Sequence, residues 1–561
     1  MSNNNLFRKK SVEKIQRDLA QSEESATLVK ALGVRDLTSF GIAAIIGAGI
    51  FSTIGNASYN GGTAISLLFV FMAVACVFTA LCYAQFAATV PVSGSAYTYA
   101  YVSFGELFAW VIGWALILEY AVSNMVVAIS WSEYFTSMLS GFGIHLPNYL
   151  TMDFGSSSKA YQTVQDAIET GKSVTDLPEA TRVAADAYRE APTFFGLKVI
   201  ADLPAFLIVS VITALVYIGI KESRNASNFL VVFKLVVIVF VILAGAFFVK
   251  PENWSPFAPN GVAGVLSGVA SVFFAFIGFD SISTTAEECT DPQRDLPKAM
   301  IYSLVICTVL YVSITLVLNG MVPYKELAVA DPLAYVFEKV GMNFIAGVIS
   351  ISAVVAITSA LLVYQLGQPR IWMTMSRDGL LPKIFSDIHP RFKTPAFSTI
   401  ITGLFVGIPS LFLNMQFVTD LTSVGTFFAF ILVCGGVLML DPQGNATNSK
   451  FKIPYINGKV ITPALLVLTG VWAFQQADYL NSFSAKPQQA LFWLVWLGLS
   501  VQSIRANLSL IPQLGILVNL YLMTELGSEN WINFMVWLAI GLAIYFGYGY
   551  RKSKLNGATT S

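Results

Sequence analysis

The chain has 561 residues, with 33 Lys or Arg, 33 Asp or Glu and two His. Only 12% are charged and 55% are apolar, against roughly 25% and 45–50% in an ordinary soluble domain. So few charges cannot cover several soluble domains, zero net charge offers nucleic acid no basic field, and a mean hydropathy of +0.67 leaves a polytopic membrane protein.

Residues 1–35 are polar and mixed in charge (Arg8, Lys9, Lys10, Glu13, Lys14, Arg17). They lack the apolar core and cleavage site of a signal peptide and read as a cytoplasmic tail. From Leu37 onward, fourteen apolar runs recur, near 37–56, 64–88, 106–139, 199–220, 228–249, 264–288, 300–321, 333–365, 396–414, 417–440, 461–477, 490–506, 511–526 and 531–549. About 20 residues cross a hydrocarbon core of about 30 Å as a helix. Barrel strands would be about ten residues long and alternating, so the expected class is an all-α integral membrane protein. The 142–197 loop is the one sizeable insert, and its stretch Ala160 to Glu190 is expected to be helical. The five cysteines (76, 82, 289, 307, 434) show no metal-like spacing and read as small buried hydrophobes.

Lys and Arg distribute unevenly between the two sides. With the N-terminus inside, 23 fall on the inner side and nine outside, five of them between residues 142 and 198, while Lys234 lies within a membrane run. The excess places both termini in the cytoplasm, as an even number of crossings requires.

Runs one and six are irregular. The first reads Gly41-Ile-Ala-Ala-Ile-Ile-Gly47-Ala48-Gly49-Ile50-Phe51, and the sixth reads Phe273-Phe-Ala-Phe-Ile-Gly278-Phe279-Asp280 followed by hydroxyl residues. Glycine in mid-span costs a helix about 1 kcal/mol relative to alanine. The two sites lie five runs apart, so their helices enter from opposite faces, the mark of an inverted-repeat transporter. A break bares backbone groups, which lipid tolerates only where they line a cavity or bind something. Freed N–H groups suit a carboxylate and freed C=O groups an ammonium. One break of each kind makes a zwitterion receptor, which is an amino-acid site.

Several motifs point the same way. Gly47-Ala-Gly-Ile-Phe51 resembles the signature of the amino acid–polyamine–organocation (APC) superfamily. Phe276-Ile-Gly-Phe-Asp280 continuing to Glu287-Glu-Cys-Thr-Asp-Pro-Gln-Arg294, Met375-Ser-Arg-Asp-Gly-Leu-Leu-Pro382 and Ile511-Pro-Gln-Leu-Gly515 resemble its cationic amino acid transporter branch, as do Pro91-Val-Ser-Gly-Ser-Ala-Tyr97 and Leu118-Glu-Tyr120. The resemblance runs from about Leu6 to Arg551 apart from the 142–197 loop.

That resemblance implies a LeuT-like fold of two inverted halves, helices 1–5 within 36–250 and 6–10 within 263–441, with helices 11–14 in 460–550 and a tail over 551–561. It also implies that the substrate carboxylate rests on the amides of Gly47, Ala48 and Gly49. The amino group would meet the carbonyls of Ile45, Phe274 and Ile277, beside Ala275 and with Phe274 as an aromatic lid. Lys234 would stand where sodium-driven relatives hold a sodium ion and would couple transport to protons, with Thr358 and Ser359 as hydroxyl neighbours. The alternative for Lys234, roughly 10 Å deep by helix rise, is a snorkelling side chain. Glu119, roughly 18 Å deep, is too short to snorkel and serves either coupling, with Lys234 as partner, or a static hydrogen bond. Asp280 is a candidate inner gate with Arg294 or Arg377.

The expected activity is amino acid permeation across the cytoplasmic membrane by proton-coupled symport, with exchange or substrate sensing without flux as alternatives. The expected partners are the substrate, protons and lipid. No cofactor, metal or nucleic acid is expected. An intramembrane enzyme would need histidines, paired aspartates or metal ligands within the helices, whereas His145 and His389 both fall in loops.

Overall fold

The computed structural model describes residues 6–10, 32–89, 95–218, 224–329, 331–392, 394–443, 451–475, 483 and 486–555. The apolar runs become helices, because in hydrocarbon each segment must bond its own backbone. The first run gives α1 (Val34–Ile45), a π-helical turn (Gly49–Thr53) and α2 (Ile54–Gly61). Next come α3 (Ile65–Thr89), a short α4 (Ser95–Ser103) and the long α5 (Glu106–Gly141). The insert holds α6 (Phe154–Glu169), α7 (Glu179–Glu190) and an antiparallel hairpin of β1 (Thr193–Phe194) and β2 (Leu197–Lys198). Then follow α8 (Leu203–Ile218), α9 (Arg224–Ala246), α10 (Gly261–Leu266) and α11 (Val269–Phe274), the last leading into a 3-10 segment (Phe279–Glu288). The remainder is α12 (Pro292–Met321), α13 (Pro332–Lys339), α14 (Asn343–Arg377), α15 (Ala396–Ser410), α16 (Met415–Leu440), α17 (Gly458–Gln475), α18 (Gln489–Ala506), α19 (Leu510–Glu525) and α20 (Ser528–Ile544).

Among the described residues, seven helical stretches are long and apolar enough to cross a bilayer, and five shorter apolar helices accompany them. The protein is a multi-pass membrane protein. The most apolar stretch of α5 is buried throughout, which makes α5 the central column of the bundle. Helices α8, α9 and α18 instead expose apolar faces, through Leu207, Val211, Val232, Val236, Leu494 and Leu497. The most extensive packings are α5 on α14, α3 on α12 and α16 on α5, while α8 lies along α15.

Three segments differ from the sequence reading. The eighth run is split: Gly341, at φ +79°, separates α13 from α14, and α14 runs on to Arg377. The predicted run stops at 365, at the first of two glutamines, Gln365 and Gln368, that are too polar to face lipid. They do not; they face inward, Gln365 bonding Asn124 and Thr213 and Gln368 the Ile117 carbonyl. In the insert, Gly171 (φ +71°) and Pro178 divide the expected helix into α6 and α7. Helix α4 was not anticipated.

The last helix is locked to the central column by indoles. Trp114 Nε1 donates to the Trp537 carbonyl (2.8 Å), Trp537 Nε1 to the Trp114 carbonyl (3.0 Å) and Trp110 Nε1 to the Gly541 carbonyl (2.9 Å). The Trp114 and Trp537 rings stack at 4.5 Å. A Cβ on Gly541 would press into the Trp114 ring. We therefore expect Gly541→Ala to cost about 1–3 kcal/mol by overpacking, read as a lowered thermal midpoint. Gly470→Ala, into open space, should stay within about 0.5 kcal/mol of the parent.

Candidate functional site

The site is built where two helices stop. Helix α1 ends at Ile45, its axis resuming at Gly49, and α11 ends at Phe274 before a turn through Gly278, at φ +117°. The breaks interlock. A Cβ on Gly49 would strike the Ala275 backbone, and one on Gly278 would come 2.9 Å from the Ala44 backbone. A Cβ on Gly47 would come 3.2 Å from Ala360 of α14. Glycine is needed here for close approach, and at Gly278 for its left-handed conformation as well. Ile45, Ala48, Phe274, Ala275 and Ile277 are all buried, as are Gly47 and Gly49, so the site is sealed in this conformation. A groove of about 390 Å³ lies elsewhere, between α8 and α15.

The last carbonyls of α1 have no partner within the helix. Side chains supply them. Lys234 of α9 donates from Nζ to the carbonyls of Ala43 (3.3 Å) and Ile46 (3.1 Å), and Tyr311 of α12 donates to that of Ile45 (3.1 Å). Lys234 is 1% exposed, so it does not snorkel. In the turn after α11, the Phe273 carbonyl accepts from Phe276 N–H (2.8 Å) and that of Phe274 from Ile277 N–H (3.2 Å). Each such oxygen keeps a second lone pair.

The remaining expected residues distribute differently. Glu119 is 3% exposed, and among the described residues its Oε2 has no hydrogen-bond partner. Its charged neighbour is Asp280 and its hydroxyl neighbour Thr426 of α16, while Lys234 is engaged with α1. Asp280 sits just past the second break, its carboxylate turned to the backbone N–H groups of Gly278, Asp280 and Ser281. Among the described residues no ion pair joins it to Arg294 or Arg377, because those amides already serve as its donors. Thr358 accepts from Trp131 Nε1 (2.8 Å), and Ser359 bonds the Ala356 carbonyl (2.8 Å).

Sequence reasoning passed over Tyr311 and Thr426, which look like any polar residue in a long apolar run. Glu133 was legible by the argument used for Glu119: it is a carboxylate well inside the third run. It lies beside Ser52 of the π-turn and near Asp202 and Asp331. Next to it, Tyr134 OH donates to the Phe51 carbonyl (2.7 Å), and Asp202 accepts from Ser132 Oγ (2.5 Å) and Ala205 N–H (3.1 Å). Helix α5 thus holds the second half of the broken first helix.

Replacing Lys234 by Met keeps the apolar stem and removes both donors. The Ala43 and Ile46 carbonyls then lack a donor, at about 1–3 kcal/mol for each buried group left unmade. Tyr311→Phe removes one bond and should cost about 1 kcal/mol. Thermal unfolding of the purified variants should rank them in that order, with Lys234→Met the less stable.

Comparison with known proteins places this arrangement. An amino acid permease family model matches residues 32–501, and a model of the permease C-terminus matches 508–553. The branched-chain amino acid permease BcaP of Bacillus subtilis is 37% identical over 552 residues, covering 98% of this chain and 99% of the relative. The methylthioribose transporter of the same organism is 34% identical with equal coverage. The vacuolar cationic amino acid transporter 4 of Arabidopsis thaliana is 30% identical, covering 99% and 97%. These relatives are carriers, not enzymes, and the chain belongs to the amino acid permease family of the APC superfamily.

Proposed function

We propose that the protein is a secondary active amino acid permease of the cytoplasmic membrane, working by alternating access and driven by protons. The observation that carries this reading is the pair of interlocked breaks, Gly49 against Ala275 and Gly278 against Ala44. The first amides of the resumed helix, from Gly47 through Ala48 to Gly49, have no carbonyl of their own helix before them and face a carboxylate. The second lone pairs of the Ile45, Phe274 and Ile277 carbonyls receive the ammonium. Ala275 leaves room between them, and Phe274 covers the bound substrate.

Two arrangements support two inverted halves of five helices within a set of fourteen. First, α3 packs on α12, α5 on α14 and α8 on α15, each pair five runs apart, as a twofold relation between runs 1–5 and 6–10 requires. Secondly, the described tail segments meet: Arg8 pairs with Glu106, and Ser553 donates to the same carboxylate. Both tails therefore lie on one face, as an even number of crossings demands, and the Lys and Arg excess assigns that face to the cytoplasm.

Lys234 carries the coupling. Its ammonium bonds the Ala43 and Ile46 carbonyls most strongly while it is charged. Loss of that charge would weaken the hold on the end of α1 and leave it free to move. Glu119 with Asp280 offers a neighbouring acceptor, Thr358 and Ser359 flank the α14 side, and Asp280 controls the inner half of the second break.

In proteoliposomes, an imposed inward proton gradient should drive accumulation of labelled amino acid. Lys234→Ala should abolish that dependence while counterflow exchange of labelled for unlabelled substrate persists. Accumulation that needs sodium and ignores pH would sink the proton coupling. Counterflow with methylthioribose alone would transfer the site to that substrate, exchange without net accumulation would make the protein an antiporter, and absence of any counterflow would leave a sensor.

A further inference from the structure

Residues 6–10 of the N-terminal tail lie on the cytoplasmic ends of α5 and α14. Helix α5 starts after Gly105, which has no side chain to cap it. The tail supplies the cap: the Arg8 carbonyl accepts from Glu106 N–H (2.8 Å) and the Leu6 carbonyl from Leu107 N–H (3.2 Å). Phe7 is pressed so close that a Cβ on Gly105 would come 2.6 Å from its backbone.

Two charge pairs lock this strand down. Arg8 meets Glu106 at 2.7 Å, and Lys10 meets Asp378, just past α14, at 2.5 Å. The four side chains are 11%, 0%, 18% and 15% exposed, so these are not solvated surface pairs. Glu106 also accepts from Tyr101 OH (2.9 Å), Tyr545 OH (3.0 Å) and Ser553 Oγ, and Asp378 accepts from Tyr97 OH (2.7 Å). Lys10 stands over the Tyr101 ring and Arg8 over that of Tyr550. Lys554 N–H closes on the Asp378 carbonyl at 3.1 Å. One buried carboxylate therefore receives both tails.

A second contact lies where the described chain resumes, at the broken helices. Leu32, just ahead of α1, bridges Cys289 at the end of the 3-10 segment, and Thr290 N–H donates to the Leu32 carbonyl (3.1 Å). The N-terminal chain is thus fixed at one end to the column of α5 and α14 and at the other to both broken helices.

We infer that Arg8 and Lys10, with Glu106 and Asp378, form a latch that holds the cytoplasmic face closed, and that the face opens only when these pairs release. Arg8 and Lys10 are positioning residues, since neither approaches the breaks. The inference rests on the alternating-access reading.

Cys289 reports on it. It is fully buried, and burial pushes its thiol up to about 11, so a closed protein should react slowly with a maleimide at neutral pH. In a background with Cys76, Cys82, Cys307 and Cys434 replaced by alanine, Arg8→Ala with Lys10→Ala should raise the Cys289 labelling rate several-fold. Glu106→Gln and Asp378→Asn should each do the same. The charge swap of Lys10→Asp with Asp378→Lys should bring the rate back toward the parent. If the double variant does not fold, Lys10→Gln alone, and a salt titration of the parent that screens the partly exposed pairs, should raise labelling in the same direction. Labelling that stays at the parent rate while the thermal midpoint falls would make the contacts a static staple and overturn the latch. The rate is read without substrate, so its failure is separate from failure of the transport assay.

Discussion

The rest of the structure depends on two interrupted helices crossing at their interruptions. A helix broken inside a bilayer bares carbonyls and amides that lipid cannot satisfy. Here each break leans on the other, Gly49 on Ala275 and Gly278 on Ala44, and side chains from neighbouring helices supply the donors. Lys234 and Tyr311 between them serve the carbonyls of Ala43, Ile45 and Ile46. The amides on the other side of the gap open the resumed first helix, where no preceding turn of that helix supplies carbonyls.

Around this crossing the polar residues fall into layers. Glu119, Asp280 and Thr426 lie beside the second break; Ser52, Ser130 and Tyr134 tie the resumed first helix to α5. Glu106 and Asp378 gather both tails beyond the ends of α5 and α14. Helix α5 carries a member of every layer, which is why its most apolar stretch is buried throughout. A helix buried in this way can hold Glu119, Asn124, Ser130 and Glu133 at depths where an outer helix could hold none of them.

Much of this was legible. The length and spacing of the apolar runs located the helices, because the bilayer forces each run to bond its own backbone. The paired glycines located the two breaks, and the depth of Lys234 and Glu119 marked them as anomalies. What failed did so for one reason: a polar residue ends an apolar run on paper whether it meets water or a neighbouring helix. Gln365 and Gln368 therefore cut α14 short, and Tyr311 and Thr426 passed as ordinary members of their runs. The neighbours of Glu119 were out of reach likewise, since depth in the bilayer says nothing of which way a side chain points around its helix.

By itself, then, the sequence determined the class of protein, the place of its breaks and the residues too costly to bury without purpose. Those follow from one-dimensional quantities: hydropathy, spacing, glycine content and charge. Only the tertiary structure decided the contacts, giving Lys234 to the α1 carbonyls, setting Glu119 beside Asp280 and Thr426, and bringing residues 6–10 to Glu106 and Asp378. These contacts join positions up to several hundred residues apart, as in Glu106 with Ser553. Pairing at that range is set by the packing of whole helices, a property that no local pattern encodes.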